Sequence, residues 1–150
     1  MRALGIDYGR KRIGLALSDP TGLLARPWKT IAAAGLDLQV AELSREIESL
    51  QREPDGLSTV VIGLPRRLSG EANEQTALVR SLVDRLGGLV PVPIAVQDER
   101  LSSHEAEQLL SRREKDWRKR KPLLDAAAAA VILQDYLDAQ PRALPESDHI

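Results

Sequence analysis

Apolar and polar positions change period several times along the chain, and each change marks an element. Ala3 to Tyr8 is a short apolar run, and Ile13-Gly14-Leu15-Ala16-Leu17-Ser18 repeats it after the polar stretch Gly9-Arg10-Lys11-Arg12. Two such runs around a short turn predict an antiparallel hairpin. Asp19-Pro20-Thr21-Gly22 is turn chemistry, and a third strand is expected over Trp28 to Ala32. Leu36, Val40, Leu43, Ile47 and Leu50 then recur at helical spacing, so a helix is predicted from Leu36 to Arg52, closed by Pro54-Asp55-Gly56. Thr59 to Gly63 is a β-branched run without alternation, the pattern of a parallel strand covered on both faces.

The second half continues in α/β rhythm. Ala77, Leu78, Leu82 and Leu86 predict a helix from about Asn73 to Leu86 with Gly87-Gly88 as its stop, and Val92 to Gln97 a further strand. Ser102 and Glu105 form a capping box that opens a helix through about Arg113. Pro122 is read as a first-turn proline, so the last helix starts there and runs to about Ala139, after a basic loop. Gln140 to Ile150 is polar, carries two prolines and is expected to fray, leaving 1–139 as the domain. The order βββαβαβαα predicts a single α/β domain with a mixed five-stranded sheet. It comprises an antiparallel hairpin extended by parallel strands, helices on both faces, and a ligand site at the carboxyl ends of the parallel strands.

Composition narrows the chemistry. The chain of 150 residues has no cysteine, so disulfides, thiolate metal sites and cysteine nucleophiles are excluded and a reducing compartment is the easiest fit. The longest apolar stretch, Ala126 to Leu133, is too short to span a bilayer, and no signal-peptide core precedes the first strand. A cytoplasmic protein with no membrane partner is expected. The net charge of −1 conceals a local excess: Arg112 to Lys121 carries seven basic and two acidic side chains. A solvated helix face alternates in sign; Arg118-Lys119-Arg120-Lys121 does not, and a phosphate-facing role is the expectation. Trp117, inside that run, is either a stacking platform for an unpaired base or a side chain that packs its loop onto the body.

Acidic residues fall at the same rim. Asp7 ends the first strand, Asp98-Glu99 the last strand, and Asp125 is placed at the opening of the last helix. Converging carboxylates repel one another unless a cation neutralises them, and hard oxygen ligands without histidine or cysteine suit Mg²⁺ or Mn²⁺. Strand alternation lets only one of Asp98 and Glu99 enter the site, and spacing alone does not say which. Asp125 has the structural alternative of favouring the positive end of its helix. His104 and His149 are read as surface residues.

Gly5-Ile6-Asp7-Tyr8-Gly9 through Lys11-Arg12-Ile13-Gly14-Leu15-Ala16 and Ser18-Asp19, then Gly63-Leu64-Pro65 with Gly70, Asp98-Glu99-Arg100-Leu101-Ser102, and Asp125-Ala126 through Leu133 together resemble the YqgF (RuvX) family. That family comprises pre-16S rRNA nucleases related in fold to Holliday-junction resolvases and ribonuclease H. The resemblance covers nearly the whole chain in order. It implies an RNase H-like fold, a divalent-metal-dependent nuclease active in 5′-end maturation of 16S rRNA, and an acidic triad at Asp7, Glu99 and Asp125. Thus the resemblance favours Glu99 over Asp98. Related resolvases carry a further acid one turn into the last helix, where this chain has Ala128 and Ala129. A full two-metal site is therefore not implied, and Asp98 and Asp19 are the remaining candidate oxygens.

Basic elements fit the same expectation. Lys11 and Arg12 sit in the hairpin turn between Gly9 and Gly14, Arg66 and Arg67 in a loop leading to a helix N-terminus, and Arg100 directly after Glu99. With Trp117, Arg118, Lys119, Arg120 and Lys121 they make the expected nucleic-acid surface, for RNA or for single-stranded or branched DNA. A junction-cutting DNA endonuclease is the enzymatic alternative and would call for a homodimer. A noncatalytic RNA-binding assembly factor is the alternative from another class. Asp7-Tyr8-Gly9 also suits the phosphate loop of actin-like ATPases, but one domain leaves no second lobe to close over a nucleotide.

Overall fold

A computed structural model describes residues 1–64, 74–98 and 117–141, with the side chains of 74 and 117–123 left aside. Five strands form one sheet: β1 (Arg2–Asp7), β2 (Arg12–Ser18), β3 (Ala25–Ala32), β4 (Leu57–Leu64) and β5 (Ile94–Asp98). Its order is β3-β2-β1-β4-β5, with β1, β2 and β3 antiparallel in sequence and β4 and β5 added parallel to β1. The described helices are α1 (Leu36–Arg52), α2 (Glu74–Gly87) and α3 (Trp117–Ala139). The mixed five-stranded sheet and the bounds of α1 agree with the expectation. The helix expected over 102–113 lies outside the described residues.

Sheet alternation divides the core in two. Leu4, Ile6, Ile13, Leu15, Val60 and Ile62 point to one face and pack on Val40, Leu43, Ile47 and Leu50 of α1 and Val79, Leu82 and Leu86 of α2. Ala3, Ala16 and Val61 point to the other and meet Ala129, Ala130, Ile132 and Leu133 of α3. The α1 stripe is the amphipathic pattern expected of a helix covering a sheet, whereas α3 buries every residue from Ala126 to Ala130. Burial on that scale needs alanine, because only a small side chain lets helix and sheet backbones approach on both flanks.

Two strand bounds differ from expectation because of proline. β3 begins at Ala25 rather than Trp28, running through Pro27, which is tolerated because β3 is an edge strand and its register shifts opposite Leu15/Ala16. β5 begins at Ile94 rather than Val92, since Pro91 and Pro93 lack ladder donors, although the Pro93 carbonyl accepts from Val60 N–H at 2.9 Å. Gly56 ends the α1–β4 turn at φ 58°, where a side chain would be strained. No described helix is long and apolar enough to cross a membrane.

The last helix departs most. It starts at Trp117, five residues before Pro122, so the backbone of Arg118 to Lys121 is helical rather than a loop. Arginine and lysine are good helix formers, and the run extends the helix upstream of the proline instead of ending before it. Asp125 consequently lies two turns inside α3. The helix-terminus explanation for it therefore fails, because that field fades within the first turn.

Candidate active site

Asp7 faces α3. Ala3 and Gly5 precede it on the same side of β1, and a Cβ built on Gly5 would lie 2.7 Å from Leu133 Cβ and 2.9 Å from the Ala129 carbonyl. The register partner of Asp7 is Gly14 on β2. A Cβ at Gly14 would run into the Asp125 carbonyl and the Ala126 amide, so α3 rests its backbone on β2 at this point. Glycine is required there by close approach rather than by a turn. One missing side chain thereby lets the Asp125 backbone rest on β2 beside the register partner of Asp7, at the carboxyl end of β1, although Asp7 and Asp125 are more than a hundred residues apart in sequence.

Asp125 is in an unusual electrostatic position. Arg12, on the same face of β2, holds its Nε 3.2 Å from Asp125 Oδ2 as an ion pair, with the Arg12 side chain 41% and the Asp125 side chain 26% exposed. Oδ2 itself is shut off from solvent and has no hydrogen-bond partner among the described residues. The distance satisfies an ion pair, but the N–H is not aimed at the oxygen. Burial pushes the Asp125 carboxyl above its ordinary range, and the Arg12 charge opposes that shift only in part. A dry carboxylate oxygen with no donor is a demanding group to leave alone and fits the hard-oxygen ligand set of Mg²⁺ or Mn²⁺. Asp7 and Asp125 would be two of its ligands. Among the described residues no group of three acidic, histidine or cysteine side chains is gathered for a metal.

The other candidates divide clearly. Asp98 pairs with Leu64 and turns with it to the α2 side, where it borders a cavity of about 560 Å³ with Val79, Arg80, Val83 and Val96. It is across the sheet from Asp7 and is removed as a ligand on that face. Asp19 stands at the opposite end of β2 and is engaged in its own turn: it accepts from Leu23 N–H and Leu24 N–H, each at 2.9 Å, and from the Thr21 hydroxyl. It is a turn residue, not a site ligand. Lys11 is exposed at the tip of the β1–β2 turn, its carbonyl accepting from Ala33 N–H at 3.0 Å. Trp117, Arg118, Lys119, Arg120 and Lys121 belong to the first turns of α3. Glu99, Arg66, Arg67, Arg100, His104 and His149 lie outside the described residues.

Sequence reasoning passed over Gln39. It is fully buried on α1, and its Nε2 donates to the carbonyls of Gly9 (2.8 Å), Arg10 (3.0 Å) and Ala33 (3.0 Å), tying the basic turn to the helix from beneath. The signal was available: Gln39 falls inside the apolar stripe between Leu36 and Leu43, where a polar side chain has to find buried partners.

Both the sequence and the fold have matches among known proteins. The family described as "RuvX: Holliday junction resolvase" matches residues 1–139. A protein of Roseiflexus sp. (strain RS-1), named "Putative pre-16S rRNA nuclease", is 37% identical over 139 residues, covering 93% of this chain and 95% of its own. One of Symbiobacterium thermophilum with the same name is 38% identical over 147 residues, covering 98% and 99%. Among solved structures, T. thermophilus RuvC in complex with a Holliday junction superposes with a TM-score of 0.55 at 18% identity, over 93% of this chain and 94% of that one. Fowlpox virus resolvase with Holliday junction DNA gives 0.60 at 11%, over 93% and 98%. At such identities the likeness is one of fold, and it is the RNase H-like resolvase fold.

Proposed function

The chain belongs to the RuvX family, and from that premise we propose that it is a divalent-metal-dependent nuclease acting in the cytoplasm on pre-16S rRNA, at its 5′ end. The nuclease class rests on the family and on relatives that match over nearly their whole length. The metal ligands proposed are Asp7, Glu99 and Asp125. The observation that carries this reading is that the Asp125 backbone lies against Gly14, the register partner of Asp7, with Asp125 Oδ2 buried and without a hydrogen-bond donor among the described residues. Glu99, outside the described residues, is proposed as the acid that the family resemblance implies; Asp98 turns to the α2 face, across the sheet from Asp7.

Mg²⁺ or Mn²⁺ bound there would supply a Lewis acid for the phosphoryl oxygen and lower the pKa of a water for attack. The chain's own contributions are distinct. Asp7 and Asp125 hold charge at the rim; the buried alanines that follow Asp125 seat α3 against the sheet; Lys11, Arg12, Arg66, Arg67, Arg100 and the run Arg118 to Lys121 bind the phosphate backbone, with Trp117 available to a base.

The test is cleavage of a pre-16S-like RNA, compared with duplex DNA and a four-way DNA junction, in Mn²⁺, Mg²⁺ or EDTA. Asp7→Asn and Asp125→Asn should keep the fold and abolish cleavage. Full activity of either variant, or activity undiminished in EDTA, overturns the mechanism. Preference for the DNA junction over RNA would move the substrate to branched DNA, the alternative suggested by the family's description, and would require a dimer.

A further inference from the structure

We propose that Arg12 is an exchangeable counter-cation: it covers Asp125 while the site holds no metal, and turns to a substrate phosphate when the site is loaded. This rests on the metal reading above and adds a coupling between metal and nucleic acid that passes through one guanidinium.

The geometry of the pair carries the inference. A guanidinium satisfies a carboxylate best through two parallel N–H bonds. Arg12 faces Oδ2 with its Nε at 3.2 Å, and that oxygen still lacks a hydrogen bond among the described residues. The contact neutralises Asp125 without binding it well, so it can be given up. Arg12 is also placed to leave. It is the first residue of β2, follows the exposed Arg10 and Lys11, and its side chain is 41% exposed. Metal coordination at Oδ2 would set a second positive charge against the guanidinium, and the repulsion favours its release toward solvent. Once released it is a fork-shaped donor at the rim where the basic turn stands, suited to a phosphate oxygen pair. Linkage then makes the effect reciprocal: metal tightens nucleic-acid binding, and nucleic acid tightens metal binding, by the same factor.

The experiment is calorimetric titration of Mn²⁺ into the metal-free full chain, for wild type, Arg12→Gln, Arg12→Lys and Asp125→Asn, with thermal melts as a fold control. Arg12→Gln should bind Mn²⁺ at least about fivefold more tightly than wild type, the lower end of ordinary coupling, because the competing cation is gone. Arg12→Lys, which keeps the charge, should remain near wild type. In parallel, binding of a short single-stranded phosphorothioate oligonucleotide is measured against salt with and without Mn²⁺. The steepening caused by Mn²⁺ should be larger in wild type than in Arg12→Gln by about 0.7 in log–log slope, the signature of one added phosphate contact. Mn²⁺ affinity in Arg12→Gln equal to or weaker than wild type overturns the exchange, as does an identical Mn²⁺-dependent slope change in both proteins. If wild type itself takes up no Mn²⁺, or Asp125→Asn takes it up equally well, it is the metal reading that fails.

Discussion

At the scale of single residues, the absence of a side chain at position 14 does as much for the site as any carboxylate. A methyl group on Gly14 meets the Asp125 carbonyl, so Gly14→Ala must push α3 away from β2 or bend one of them. Overpacking of this kind costs about 1–3 kcal/mol, and in a domain of this size each kcal/mol lowers Tm by roughly 2–4 °C. Calorimetry should show that loss together with weaker Mn²⁺ binding. Gly87→Ala, at the end of α2 with open space around the new Cβ, should change stability by less than about 0.5 kcal/mol. Asp19 supplies a pH signature. Its turn hydrogen bonds hold its carboxyl at about 2 against the ordinary 3.8. The folded-state value is the lower one, so its stabilising contribution is complete above 3.8 and is lost as pH falls through about 2. Asp19→Asn should therefore flatten the stability profile in that window, read from denaturant midpoints at successive pH values. Of the site, the residue types were legible in the sequence because acids at strand ends are visible from the pattern alone. The roles of Gly14 and Gln39 were not, since close approach and a buried amide's partners depend on which segments become neighbours.

Among elements, α3 decides how closely the two halves of the site meet. Ala129 is fully buried, and its carbonyl stands 2.9 Å from where a Gly5 Cβ would be. Ala129→Leu has no space to fill and should cost about 1–3 kcal/mol, seen as a lower Tm and reduced protection of α3 amides in hydrogen exchange. α1 is legible in the sequence to its bounds because its stripe is strictly amphipathic and its ends carry clear signals. The early start of β3 and the late start of β5 both involve proline. A proline is compatible with several places, on an edge strand, before a strand or within the first turns of a helix, and its meaning depends on the neighbours that sequence does not show. In α3 the basic run before Pro122 reads as a break because its charges look like a loop. A helix can carry such a run, and here it does.

For the molecule as a whole, the separation between holding metal and holding the strand can be measured. The chain is nearly neutral overall, so nucleic-acid binding has to come from local basic regions rather than from net attraction. The longest unbroken one is Arg118-Lys119-Arg120-Lys121, which begins α3 two turns before Asp125 and so travels with it on one rigid element. Substituting all four with serine removes positive charge and no proposed metal ligand. Affinity for single-stranded RNA should fall, and the slope of log affinity against log salt should flatten by about 0.7 for each phosphate no longer neutralised. Turnover at saturating RNA should be retained far better than in Asp125→Asn, whose RNA binding should persist while cleavage vanishes. Mn²⁺ should still raise the Tm of the four-serine protein, because the folded state alone offers the site. Unchanged affinity and an unchanged salt slope in that variant would assign the run to a solvated helix face and move the strand's path to the β1–β2 turn.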